Sequence, residues 1–182
     1  LEFATLHPGT RFRLQLTDKA VDPAKEGFDI AFISGAAVGL NEHSVPIGRL
    51  TSRFVASPSY LEKHGTPQTP EELNNHILLG YTGQMSNSML YLRHKKRGQI
   101  QSFRLKETLQ ASSTTALQLA VRQGLGILTY ACDFMFHEDI NNGTLIEILK
   151  DWQQPETIVQ AIVSASSRNR KQVENFLAYM QK

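Results

Sequence analysis

At 182 residues, 41% of them hydrophobic and 20% charged, the chain has an ordinary soluble composition with room for one large domain or two small lobes. Its formal net charge of +2 is too weak to argue for direct binding of this segment to nucleic acid or an anionic membrane. A lone cysteine, Cys132, excludes an intrachain disulfide, and no apolar run approaches the ~20 residues that span a bilayer.

Arg11–Thr17 (RFRLQLT) alternates Phe12, Leu14 and Leu16 with polar residues, which predicts a half-buried strand ending at Thr17. Asp18–Gly27 reads as a short helix stopped by glycine. Phe28–Ser34 (FDIAFIS) is a nearly continuous apolar run, the pattern of a strand covered on both faces. Together these predict a strand–helix–strand crossover in a parallel sheet. Such sheets bind ligands outside the carboxyl ends of their strands, which makes Thr17, Ser34 and Gly35 candidate binding residues.

Val45–Ser57 predicts a second extended segment. Pro58–His64 predicts a helix that Gly65 ends, and Pro70 opens another helical turn. Three extended pieces follow at Ile77–Tyr81, Met89–Arg93 and Ile100–Leu105. The basic cluster His94–Gly98 falls between the last two and reads as a solvated hairpin turn.

The run Ala111–Tyr130 carries more information. Ser112 to Thr115 precede Ala116, Leu117, Ala120 and Val121 at helical spacing, and Gly124 ends the pattern. The first N–H groups of a helix lack internal partners and sit at the positive end of its dipole. Ser112, Ser113 and Thr114 are therefore candidates both for capping and for holding a carboxylate, sulfate or phosphate. Ile127–Tyr130 is a short strand whose end offers Thr129 and Tyr130 as further candidates. A helix at Phe134–Ile140, strands at Leu145–Leu149 and Ile158–Ala165, and a final helix at Arg168–Gln181 complete the chain.

Six scattered histidines show no close ligand spacing, so no metal site is expected. Gly124-Leu125-Gly126 follows a helix rather than a strand and is no nucleotide fingerprint, so no cofactor is expected. Ser112 and Ser113 lack a recognisable base and orienting group, and enzymatic activity is not expected. Cys132, inside an apolar stretch, is expected to be a small buried residue.

GFDIAFISG (27–35), RLTSRFVASPSYLEKHGTPQTPEELNNHILLGY (49–81), LQASSTTALQLAVRQGLGILTY (109–130) and NNGTLIEILKDW (141–152) stand in one order and register. In that order the chain resembles the effector-binding region of a LysR-type transcriptional regulator, from His7 to the last helix. The resemblance implies an α/β fold: two Rossmann-like lobes of periplasmic-binding-protein type II joined by two crossover strands. It puts residues 1–53 and 162–182 in the first lobe and 54–161 in the second, with a small-molecule effector between them. It matches Ser112, Ser113 and Thr114 to the segment that holds effector carboxylates in such regulators. It further implies a homodimer or homotetramer, cytoplasmic localisation, no membrane contact, and DNA binding through a helix-turn-helix domain that this sequence lacks. Because the chain starts at Leu1, with no counterpart of the first strand of the first lobe, it is expected to be a piece of a longer protein. A transporter's stand-alone solute-binding protein would share the same lobes and is the alternative expectation.

Overall fold

A computed structural model describes residues 2–17, 21–34, 44–82 and 89–181. Its helices are α1 (Glu2–Leu6), α2 (Pro23–Glu26), α3 (Pro58–His64), α4 (Thr114–Arg122), α5 (Asp133–Asn141) and α6 (Lys171–Met180), with 3-10 turns at Pro70–Asn75 and Ala165–Ser167. Its strands are β1 (Ile30–Ser34), β2 (Ser44–Leu50), β3 (Ser52–Ala56), β4 (Leu78–Tyr81), β5 (Met89–His94), β6 (Ile100–Arg104), β7 (Leu109–Ala111), β8 (Ile127–Cys132), β9 (Ile146–Ile148), β10 (Trp152–Gln153) and β11 (Thr157–Val163). The chain divides into two compact units, Leu1–Arg49 with Thr157–Lys182, and Leu50–Glu156. Both changeovers fall a few residues before the sequence-based lobe boundaries at 53/54 and 161/162.

The second unit is built on a five-stranded mixed sheet in the order β7-β4-β8-β3-β9. Strand pleating sends successive side chains to opposite faces, and here both faces are buried. Phe54, Leu78 and Ile127 join one core with Tyr60, Leu73, Leu92 and Leu105. Their chain neighbours Val55, Leu79 and Leu128 join the other, with Leu117 and Val121 of α4 and Phe136 of α5. Each of these large apolar side chains contributes roughly 2 kcal/mol by leaving water. A smaller antiparallel sheet, β10-β5-β6, backs the first core, and Trp152 stands edge-on to Phe103 with ring centroids 5.5 Å apart.

Local capping explains the helix limits in this unit. Ser57 accepts the N–H of Tyr60 at 3.2 Å, and Pro58 starts α3 where no N–H is needed. Pro70 opens a 3-10 helix. Val45–Ser57 is two strands rather than one, split at Thr51, because β2 belongs to the first unit's sheet and β3 to the second's. The basic cluster forms the predicted hairpin turn between β5 and β6, with Gly98 N–H bonded to the His94 carbonyl at 2.8 Å.

The first unit holds the sheet β1-β11-β2. β1 and β11 are antiparallel, with Ile30 opposite Val163 and Ser34 opposite Val159. Phe176 of α6 meets Phe3, Phe12 and Phe32 at centroid distances of 5.0, 5.6 and 6.1 Å. The predicted strand Arg11–Thr17 does not form. The segment lies exposed outside any strand, with Leu16 99% accessible. Alternation says which side chains would share a face, but a strand needs a neighbour to take up its N–H and C=O groups. No described strand pairs with this segment. The predicted parallel crossover is absent among the described residues for the same reason, since β1's described partner is antiparallel. The helix predicted at Asp18–Gly27 is reduced to α2, capped by Asp22, and Asp18–Ala20 lie outside the described residues. Phe32 on β1 is 45% accessible rather than covered.

Candidate functional site

Three parallel strands lie side by side in the second unit. β4 runs parallel to both neighbours, so Tyr81 pairs with Ala111 of β7 and Leu79 with Leu128 of β8. The ladder runs one step further, from the Thr82 N–H to the Ala111 carbonyl at 3.1 Å. This carboxyl edge is where an open α/β sheet collects ligands. It brings together five residues singled out in the sequence: Ser112, Ser113 and Thr114 directly after β7, and Thr129 and Tyr130 on β8.

Ser113 is the N-cap of α4. Its hydroxyl oxygen accepts the Ala116 N–H at 3.3 Å, and its carbonyl accepts Leu117 N–H at 3.2 Å. Ser112, Ser113 and Thr114 are all exposed. The cap uses an oxygen lone pair of Ser113 and leaves its proton free to donate, so capping and anion binding are compatible. Thr129, by contrast, is buried, and its hydroxyl donates to the Leu79 carbonyl at 3.2 Å. Its own carbonyl accepts Gln154 Nε2 at 2.7 Å.

Tyr81, Leu90, Leu105, Glu107, Tyr130 and Gln154 surround Thr129 in a small recess at this edge. The sequence reading passed over Tyr81, Glu107 and Gln154. Glu107 sits in the short connection between β6 and β7, where no periodicity marks it. Its position in the recess follows from long-range packing alone.

The remaining candidates lie in the first unit. Ser34 ends β1 and is exposed. Gly35 lies outside the described residues. Thr17 ends no strand, since 11–17 stays irregular, so its assignment to a strand end does not hold. Cys132 is buried as expected. Burial pushes its thiol up, against the pull of hydrogen bonds with Ser52 and Tyr130. Among the described residues no three His, Cys, Asp or Glu side chains could jointly hold a metal ion, and no helix is long and apolar enough to cross a membrane.

The edge therefore offers hydroxyl donors and a helix N-terminus suited to an oxyanion, beside a recess with tyrosine, leucine and carboxylate walls. Comparison with known proteins gives this geometry a context. The family model described as the LysR substrate binding domain matches residues 1–182. An uncharacterized HTH-type transcriptional regulator of Haemophilus influenzae is 32% identical over 160 residues, covering 88% of this chain and 54% of that protein. The HTH-type transcriptional regulator CrgA of Neisseria meningitidis serogroup B is 31% identical over 159 residues, covering 86% and 51%. The solved CrgA regulatory domain superposes with a TM-score of 0.82 at 26% identity, over 99% of this chain and 87% of that one. The full-length Vibrio cholerae virulence activator AphB gives 0.80 at 25% identity, over 99% and 60%. The chain spans about half the length of the curated relatives it matches.

Proposed function

The chain belongs to the LysR substrate-binding domain family, and from that premise we propose that it is the effector-sensing part of a LysR-type transcription regulator. Its fold is the α/β, periplasmic-binding-protein type II fold of the regulatory domains it matches. The relatives described above are transcriptional regulators rather than transporter solute-binding proteins, so the transporter reading gains no support.

One observation carries the proposal: β7 and β4 end level with one another at Ala111 and Tyr81, so that the Ser113-capped start of α4 follows the strand on one side of β4 while Thr129 and Tyr130 belong to β8 on the other. A small effector bearing a carboxylate or other oxyanion binds there, its charge met by the Ser112–Thr114 hydroxyls and the first N–H groups of α4. Ser34, exposed at the end of β1, is a further candidate contact for the effector. Effector binding biases a homodimer or homotetramer between two arrangements, and helix-turn-helix domains elsewhere in the cytoplasmic regulator transmit the bias to DNA. Such coupling requires the effector to bind one arrangement better. A tenfold preference, ~1.4 kcal/mol, shifts the equilibrium tenfold.

The test uses the full-length protein. Calorimetric titration with small carboxylates and with sulfur and nitrogen metabolites identifies binders, and DNA affinity is then measured with and without each. At least one binder should change DNA affinity severalfold. If every binder leaves it unchanged, the sensor reading fails.

A further inference from the structure

Among the described residues Glu107 is the one acidic side chain lining the recess around Thr129, and its setting is unusual for a loop carboxylate. The carboxyl group lies on the backbone of Gly80, in the place a Cβ would take there. Its Oε2 accepts Gln110 Nε2 at 2.7 Å. Its Oε1 lies 3.3 Å from Thr129 Oγ1. That hydroxyl also reaches the Leu79 carbonyl, and it has a single proton to give. Whichever acceptor takes that proton, a carboxylate oxygen has two lone pairs, so Oε1 keeps at least one for a further donor. Among the described residues no lysine or arginine pairs with this carboxylate. The walls around it are Tyr81, Tyr130, Leu90 and Leu105.

A carboxylate accepts hydrogen bonds only, and two tyrosine rings favour a cation at their faces. An oxyanion placed here would meet like charge. We propose that this recess is a subsite for a primary ammonium or similar N–H donor carried on a small apolar or aromatic body, with Glu107 as its acceptor. The inference rests on the reading of this edge as an effector site and adds a group to the effector. Ala111, just before Ser112, pairs with Tyr81, so the recess adjoins the hydroxyl run on a neighbouring strand. An effector using both is an amine-bearing acid rather than a simple anion.

The test titrates the full-length protein with 4-fluorobenzylamine, cationic at neutral pH, and with 4-fluorobenzoate as an anion of similar shape, both followed by 19F NMR. The ammonium should bind. Glu107→Gln, which keeps the size but removes the charge and one acceptor oxygen, should weaken it roughly tenfold, the loss of one charge-assisted hydrogen bond. Gly80→Ala keeps the charge but takes the carboxylate's seat, and should weaken the ammonium by a similar factor. Benzoate binding should not respond to Glu107→Gln, and thermal melts check that both variants fold. No binding of the ammonium, or binding indifferent to both substitutions, overturns the subsite. Either result leaves the effector reading standing, because that reading is judged on DNA affinity.

Discussion

Arg53 clasps Asp133, with Nε 2.5 Å from Oδ1 and a terminal nitrogen 3.3 Å from Oδ2, while its other terminal nitrogen meets Glu147 at 2.7 Å. One guanidinium thus ties β3 to the first residue of α5 and to β9. Charge-assisted bonds contribute ~1.5–3 kcal/mol when buried. Arg53 and Asp133 are each more than a third exposed, and solvent screening reduces the estimate to about 1 kcal/mol. Arg53→Ala should lower stability in urea unfolding by about that amount. An unchanged midpoint would show the clasp to be ornamental.

The same clasp sets an acid limit. Burial pushes the Asp133 carboxyl up, but hydrogen bonds from Arg53 and Thr51 outweigh it and hold the group below its ordinary value of 3.8. The unfolded chain therefore binds the proton first as pH falls. The stabilisation is complete above that ordinary value and is lost as pH drops through the lower, folded one. Asp133→Asn should flatten the fall in melting temperature below about pH 4 relative to the parent protein. Parallel curves for the two proteins would remove Asp133 from the account.

Two glycines two residues apart answer to different constraints. Gly124 has φ +75°, and a Cβ there would stand 3.0 Å from Ser59 Oγ and 3.2 Å from Ser57 Oγ, the residue that caps α3. Gly124→Ala should cost about 1–2 kcal/mol, mostly backbone strain. Gly126 needs space instead. A Cβ there runs into the carbonyl of Ile77, which accepts the Ile127 N–H at 2.8 Å where β8 begins. A backbone carbonyl cannot swing aside, so Gly126→Ala should cost more, about 3 kcal/mol. Denaturant unfolding ranks the two, and the reverse order would contradict this division.

What the sequence shows well is what short range decides. Pro58–His64 has the same limits in sequence and structure because Ser57, Pro58 and Gly65 act within one or two turns. Ser113 as cap of α4 is legible for the same reason. Arg11–Thr17 is misread because alternation cannot reveal whether a partner strand exists. β7 and β10 are too short, at three and two residues, to show a period at all. In the site, the hydroxyl run is visible and Glu107 is not. Its place depends on Gly80, 27 positions earlier in the chain, lacking a side chain.

His76 gives a second pH signal, higher on the scale. Burial lowers its value below the ordinary 6.5, the nearby His64 adds to the effect, and Glu72 opposes it. Tyr60 hydroxyl accepts the Ile77 N–H at 2.9 Å and lies 3.3 Å from His76 Nδ1, so its proton is placed to donate to the neutral ring. Protonating His76 ends that acceptor role. The stabilisation is complete above about pH 6.5 and is lost as pH falls through the depressed folded value. His76→Gln should flatten the stability curve below about pH 6.5, measured by urea midpoints. An equal slope in both proteins would rule the histidine out.

Capping and anion binding by Ser113 can be separated by charge. Ser113→Ala removes the acceptor for the Ala116 N–H and should cost about 1 kcal/mol of stability. Ser112→Ala should stay within about 0.5 kcal/mol of the parent, since Ser112 is exposed and outside α4. Ser113→Asp is the decisive change. Aspartate caps as well as serine and its charge suits a helix N-terminus, so stability should hold or rise slightly. The same charge repels an incoming carboxylate, so any small acid that the parent protein binds at this edge should bind at least tenfold more weakly, by calorimetry on the full-length protein. Undiminished affinity in Ser113→Asp would mean that Ser113 only caps its helix and that the acid is held elsewhere.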